Sequence, residues 1–173
     1  MDKYQLFLEQ SKFTVPALNQ SKLKHVLIDT KKKLWEFHII MDEIVEPHVM
    51  IPFIQQIKTY FRVPRVVSKV EVWIEYTNLN QLHERALSYY DQVVLDLANE
   101  KASASVLKNF KTRIENDALL ILIDPDSEYI HSYVPEIKRI FERFGLPIDI
   151  KTHIEDTIPR ISELIETSIL EQE

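Results

Sequence analysis

Thr30-Lys31-Lys32-Lys33-Leu34-Trp35-Glu36-Phe37-His38-Ile39-Ile40 is the stretch on which the fold turns. From Leu34 onward, apolar and polar residues alternate with period two, the pattern of a half-buried strand. Just upstream, His25, Leu27 and Asp29 alternate with Val26 and Ile28. Two such runs around the short polar segment 30–33 read as a β-hairpin. Trp35, Phe37 and Ile39 fall on one face, which is assigned to the core.

Working outward, Pro47 suits the first position of a helix, where its missing N–H is harmless. Val49, Met50, Phe53, Ile54, Ile57, Tyr60 and Phe61 follow at helical spacing. Pro52 conflicts with a regular start at Pro47, so an irregular first turn is expected. Val63-Pro64 ends this helix. Arg65 to Tyr76 reads as a strand that completes the first sheet, with Val70, Val72, Ile74 and Tyr76 on its apolar face. On the other side of the hairpin, Asp2 to Gln10 reads as a short helix with Leu6 and Phe7 inward, followed by a loop containing Pro16, Asn19 and Ser21.

Strand character stops at Thr77-Asn78, and a domain boundary is placed there, dividing the chain into 1–77 and 78–173. Asn78 is expected to cap a long helix, with Gln81 at the capping-box position. Its stripe is Leu79, Leu82, Ala86, Tyr90, Val93, Val94 and Leu97. A shorter helix follows over Ala102 to Phe110. A second hairpin is expected from Thr112–Glu115 and Ala118–Ile123 around Asn116-Asp117. Ile130, Val134, Ile137, Ile140, Phe141 and Phe144 give a helical stripe that Pro135 kinks or restarts. Gly145 fits the left-handed position after a helix end, and Pro147 prevents continuation. Ile148 to Thr152 reads as a strand, and an acidic helix is expected from Thr157. The fold class is α+β, with a second unit of order α-α-β-β-α-β plus a terminal helix.

Composition excludes several chemistries. The chain of 173 residues holds one glycine where about 7% is usual. Phosphate-cradling loops need several glycines so that the backbone can approach the ligand, and Gly145 alone cannot supply a P-loop, a dinucleotide fingerprint or a nucleophile elbow. There is no cysteine, hence no disulfide framework or thiolate zinc site; a cytoplasmic location is expected. The start Met1-Asp2-Lys3-Tyr4 lacks the basic-then-apolar order of a secretory signal. Residues 1–65 carry 10 Lys/Arg against 7 Asp/Glu, a net +3, whereas residues 66–173 carry 11 against 20, a net −9. The acidic half repels a polyanion.

The remaining polar constellations read as structure more readily than as chemistry. Asp124-Pro125-Asp126-Ser127-Glu128 lacks the glycine and final glutamate of a calcium loop and is expected to cap a helix. Among His25, His38, His48, His83, His131 and His153 no zinc-helix spacing occurs. His25 and His38 come within reach of each other on the first hairpin. With no carboxylate beside them, they read as half-buried hairpin residues. Glu36, Glu71 and Glu75 lie opposite the apolar strand faces, which predicts solvation. No catalytic residue, metal or cofactor is expected. Lys22, Lys24, Lys31, Lys32 and Lys33 form the one dense basic cluster. It could contact nucleic acid, though without arginine for bidentate readout, or simply be a solvated hairpin tip. Gln5-Leu6-Phe7-Leu8 is similar in outline to a peptide that docks on a sliding clamp, although four residues at helical spacing are more often simply a helix face.

The run Leu34-Trp35-Glu36-Phe37-His38-Ile39, rising from a lysine-rich hairpin and leading into an amphipathic helix, resembles the N-terminal region of the PolC-type DNA polymerase III alpha chain of low-GC Gram-positive bacteria and mollicutes. Arg143-Phe144-Gly145-Leu146-Pro147, between a helix and a strand, is similar to that family's Phe-Gly-aromatic-Pro passage, with Leu146 replacing the aromatic. Element order agrees up to about residue 155. The resemblance implies two small N-terminal domains, the second like a KH type II fold. The Gly-x-x-Gly loop that would clamp nucleic acid is missing here. It further implies that polymerase and exonuclease chemistry lies downstream, so that this chain is no enzyme by itself. The expected role is a replisome protein-interaction region, plausibly for the clamp loader's tau subunit or another replication factor. The alternative is a DNA-contacting module using the lysine hairpin.

Overall fold

Asp29 closes the first hairpin: its carboxylate accepts hydrogen bonds from the backbone N–H groups of Lys31 and Lys32, both at 3.0 Å. Lys33 completes the turn in the left-handed region, φ 52°. The strands so joined are β1 (Lys22–Asp29) and β2 (Leu34–Met41), antiparallel with Val26 opposite Phe37 and a bulge between Leu23 and His25. The computed structural model describes residues 2–63 and 69–155. Preceding the hairpin are α1 (Lys3–Ser11) and a single turn, α2 (Pro16–Asn19), in the stretch expected to be loop.

A parallel third strand needs a crossover, and α3 (Pro47–Phe61) supplies it before β3 (Lys69–Tyr76). Pro47 stands in its first turn, where the Glu46 carbonyl accepts from both Val49 and Met50 N–H at 3.0 Å. This is the irregular start that the two prolines imply, and Pro52 then sits inside a continuous helix. The sheet order is β1-β2-β3, with Phe37 beside Val72 and Ile39 beside Ile74. The expected first residues of the third strand, 65–68, and the acidic helix from Thr157 lie outside the described residues.

The second unit is built on α4 (Leu82–Glu100), a 3₁₀ segment over Ala102–Asn109, and the hairpin β4 (Thr112–Glu115) and β5 (Ala118–Ile123). Asn116 and Asp117 both have positive φ, 52° and 62°, the geometry of a tight two-residue turn. Asp124 caps the 3₁₀ segment Pro125–Tyr133. Pro135 lies in the first turn of α5 (Val134–Arg143), so it restarts the helix and does not kink it. Gly145, at φ +82°, ends the helix as expected. β6 (Asp149–Ile154) then pairs parallel to β5 in a second sheet, β4-β5-β6.

Several expectations need correcting. In α1 the buried face is Tyr4, Phe7 and Leu8, while Leu6 is 40% exposed. Residues at i, i+3 and i+4 share a helix face, and the Tyr4 hydroxyl obscured this stripe; it is hydrogen-bonded to Ser21 Oγ at 2.6 Å. Asn78 does not cap α4. Its side chain accepts from Asn80 N–H at 2.8 Å, the local turn with which asparagine competes against helix capping. Gln81 precedes the helix at φ 63°, and Leu79 is exposed. Tyr89, missing from the expected stripe, is fully buried. Ala102–Asn109 is 3₁₀ and not α.

Phe37, Ile39 and Phe144 are buried as expected, but Trp35 is half-buried. Its row-mate Ile28 is 57% exposed, so the core thins towards the turn. Both units feed one connected apolar core. Across the seam the Tyr89 hydroxyl donates to the Val45 carbonyl at 2.8 Å, and within the second unit its ring lies 5.2 Å from Phe144.

The burial difference sets an order of stability losses. Phe37→Ala is expected to cost about 3–5 kcal/mol, the usual loss for a buried large aromatic, and Trp35→Ala distinctly less. Urea unfolding of both variants checks this; an equal loss would mean that the Trp35 end of the sheet is as tightly packed as its middle.

Candidate interaction surface

The five lysines of the basic cluster do not form one patch. Lys31, Lys32 and Lys33 sit together on the exposed turn, whereas Lys22 and Lys24 lie at the start of β1, roughly 20 Å away along an extended strand. Lys24 is already paired with Glu75 on β3 at 3.1 Å. Only the turn remains a compact basic feature.

Strand register builds a second feature, on the sheet face opposite the core. His25 stands beside His38 and His38 beside Trp73. Their rings form a row across all three strands, with centroids 4.4 Å and 5.8 Å apart and planes tilted by 27° and 12°. The neighbouring row is Leu27, Glu36 and Glu71. The expectation that these carboxylates are solvated fails for Glu71, whose side chain is 12% exposed. Its carboxylate accepts from Trp73 Nε1–H at 2.8 Å and lies 3.7 Å from Lys69 Nζ. The histidine pair likewise has a carboxylate nearby, since Glu36 lies 3.9 Å from His38 Nε2. Burial, seconded by the neighbouring His25, lowers the His38 pKa below the usual histidine value, against the opposing pull of Glu36.

A third feature is the seam between the units, a cavity of about 220 Å³ lined by Lys58, Lys69, Glu71, Asp96 and Arg143, among others. Arg143 is 12% exposed and pairs with Asp96 at 3.0 Å and Glu100 at 3.8 Å. Burial, then the adjacent Arg143, pushes the Lys58 pKa down. Cations and carboxylates balance here, as in a salt-bridged joint.

The other constellations behave as structure. Asp124 accepts from Asp126 N–H at 3.0 Å and from the Ser127 hydroxyl at 2.9 Å. His48 pairs with Glu46, and His131 meets the Thr152 hydroxyl. Phe7 and Leu8 of the clamp-like peptide are buried in the core and cannot dock elsewhere. Among the described residues no group of three histidines or acids could hold a metal, and no helix is long and apolar enough to cross a membrane. The ring row is not legible in the sequence, because the parallel register that brings Trp73 beside His38 is a non-local property.

These observations define an α+β module with an open sheet face and an exposed basic turn. Residues 3–72 match the family described as DNA polymerase III polC-type N-terminus I. Over 152 residues, 82% of this chain, the sequence is 23% identical to "DNA polymerase III PolC-type" of Lactococcus lactis subsp. lactis (strain IL1403), and it spans 9% of that relative's length. No solved structure matches. Both findings support the resemblance, carried by Leu34–Ile39, to an N-terminal PolC region.

His38 gives this surface a pH dependence. Its folded pKa lies below the unfolded one, so the unfolded chain binds more protons in the interval between them. Stability is therefore full above about pH 6.5, the ordinary histidine value, and declines as pH falls below it. His38→Gln should flatten the stability profile between neutral and mildly acid pH, measured by urea unfolding; an unchanged slope would remove His38 as its source.

Proposed function

We propose that this chain is the non-catalytic N-terminal region of a replicative PolC-type DNA polymerase III alpha chain. In this reading it serves bacterial DNA replication in the cytoplasm as a protein-interaction module of the replisome, with the clamp loader's tau subunit or another replication factor as its partner. The match of residues 3–72 to the polC-type N-terminus I family carries the reading. Charge and backbone chemistry support protein over nucleic acid as the ligand. Residues 66–173 are net −9, and the chain has no second glycine with which to build a Gly-x-x-Gly clamp. The two units, 1–77 and 78–173, then correspond to two small domains, the second KH type II-like in element order.

A second reading rests on Lys31, Lys32 and Lys33, which cluster on an exposed turn and could contact phosphates. One experiment separates the two: titration of the chain against purified tau subunit and, separately, against labelled single-stranded DNA at low and moderate salt. We expect a complex with tau and DNA binding too weak to detect. If the turn binds DNA, neutralising the three lysines lowers the log–log salt slope by about 0.7 for each lysine that had met a phosphate. Micromolar DNA binding by the native chain that disappears in the triple variant, with no tau complex, would overturn the protein-interaction reading.

A further inference from the structure

We propose that the open face of the first sheet docks an arginine-bearing, basic segment of a partner protein, an inference that rests on the reading of the chain as a protein-interaction module. The face is organised by register into two adjacent rows, His25–His38–Trp73 and Leu27–Glu36–Glu71. Glu36 and Glu71 stand side by side on neighbouring strands, about 4.8 Å apart in the hydrogen-bonding direction, where like charges oppose each other.

The two carboxylates are not equally compensated. Glu71 has the Trp73 indole N–H at 2.8 Å and Lys69 at 3.7 Å. Glu36 is 26% exposed and has only the His38 ring, at 3.9 Å. Because His38 holds its proton less readily than an ordinary histidine, it is a neutral neighbour at physiological pH. No Lys or Arg of the described residues forms an ion pair with Glu36. Among the described residues it is thus a largely covered carboxylate without a lysine or arginine partner, a position that a cation of another protein can fill.

An arginine fits this position better than other ligands. Its planar fork pairs with a carboxylate through two parallel hydrogen bonds, and its apolar stem can lie along ring edges and aliphatic surface. The rings beside Glu36 and Leu27, itself 50% exposed, provide such a bed. A nucleic-acid strand would also find rings, but Glu36 beside them repels its phosphates. On this face Lys24 is engaged by Glu75 and Lys69 by Glu71, which leaves Glu36 as the carboxylate without a cationic partner among the described residues. Charge complementarity therefore selects a cationic peptide.

The test uses the whole chain, isotopically labelled, and the peptide acetyl-(Gly-Arg)₃-amide as probe, with the Trp73 indole N–H resonance as readout. The peptide is expected to shift that resonance. Glu36→Gln should weaken binding roughly tenfold, the loss of a charge-assisted hydrogen-bonded pair. Glu84→Gln, an exposed acid on α4, should leave binding unchanged and so controls for general attraction to an acidic chain. Leu27→Ser, at an exposed position, is a second variant that leaves the core intact and should also weaken binding. Equal losses in the Glu36 and Glu84 variants would overturn the proposal, as would oligothymidine shifting the Trp73 resonance more strongly than the peptide. A tau complex that survives both Glu36→Gln and Leu27→Ser would keep the module reading and remove this face from it.

Discussion

The arrangement depends on one close approach: Gly145, just past α5, lies against the backbone of β3 in the other unit. A Cβ at this position would stand 2.8 Å from the Ile74 carbonyl and 2.9 Å from the Tyr76 ring, closer than non-bonded atoms tolerate. The residue also holds φ +82°, a conformation that side chains with a Cβ disfavour. Both conditions are met by the chain's only glycine. Its placement lets Phe144 and Leu146 be buried on either side, and Arg143, one residue further back, forms the ion pairs with Asp96 and Glu100 that rim the seam. Two small three-stranded sheets thereby share a core.

The consequence for function is that the first sheet has one face committed and one face open. Helices α1 and α3 supply core partners such as Phe7, Phe53 and Phe61, and β3 lies against the second unit at Gly145. What remains for a partner is the outer face with its ring row and carboxylate row, together with the lysine turn at its end. The turn is basic, whereas on the face Glu36 is the carboxylate without a lysine or arginine partner among the described residues.

Local pattern made much of this legible. The hairpin, its turn, the helix after Pro47 and the alternation of β3 all follow from periodicity and turn chemistry, and Gly145 at a helix end followed from its position before Pro147. The failures share a cause: each depended on a neighbour distant in sequence or on a polar atom that concealed an apolar face. Tyr4 and Tyr89 are core residues whose hydroxyls find partners at Ser21 and Val45, so hydrophobic counting undervalued them. Glu71 looked solvated because alternation places it away from the first core, but the β3 edge faces the seam with α4. Asn78 satisfied a local turn in preference to the helix. The rows on the open face could not be read without the β2–β3 register.

The seam makes one body of the two units, and unfolding tests this directly. Both tryptophans, Trp35 and Trp73, belong to the first unit, whereas helices α3 and α4, one from each unit, both contribute to far-ultraviolet circular dichroism. Urea unfolding followed by tryptophan fluorescence and by circular dichroism should give a single shared midpoint, the mark of one cooperative transition. A fluorescence transition displaced from a second, fluorescence-silent dichroism transition would show that the units unfold separately and that the Gly145 seam does not join them.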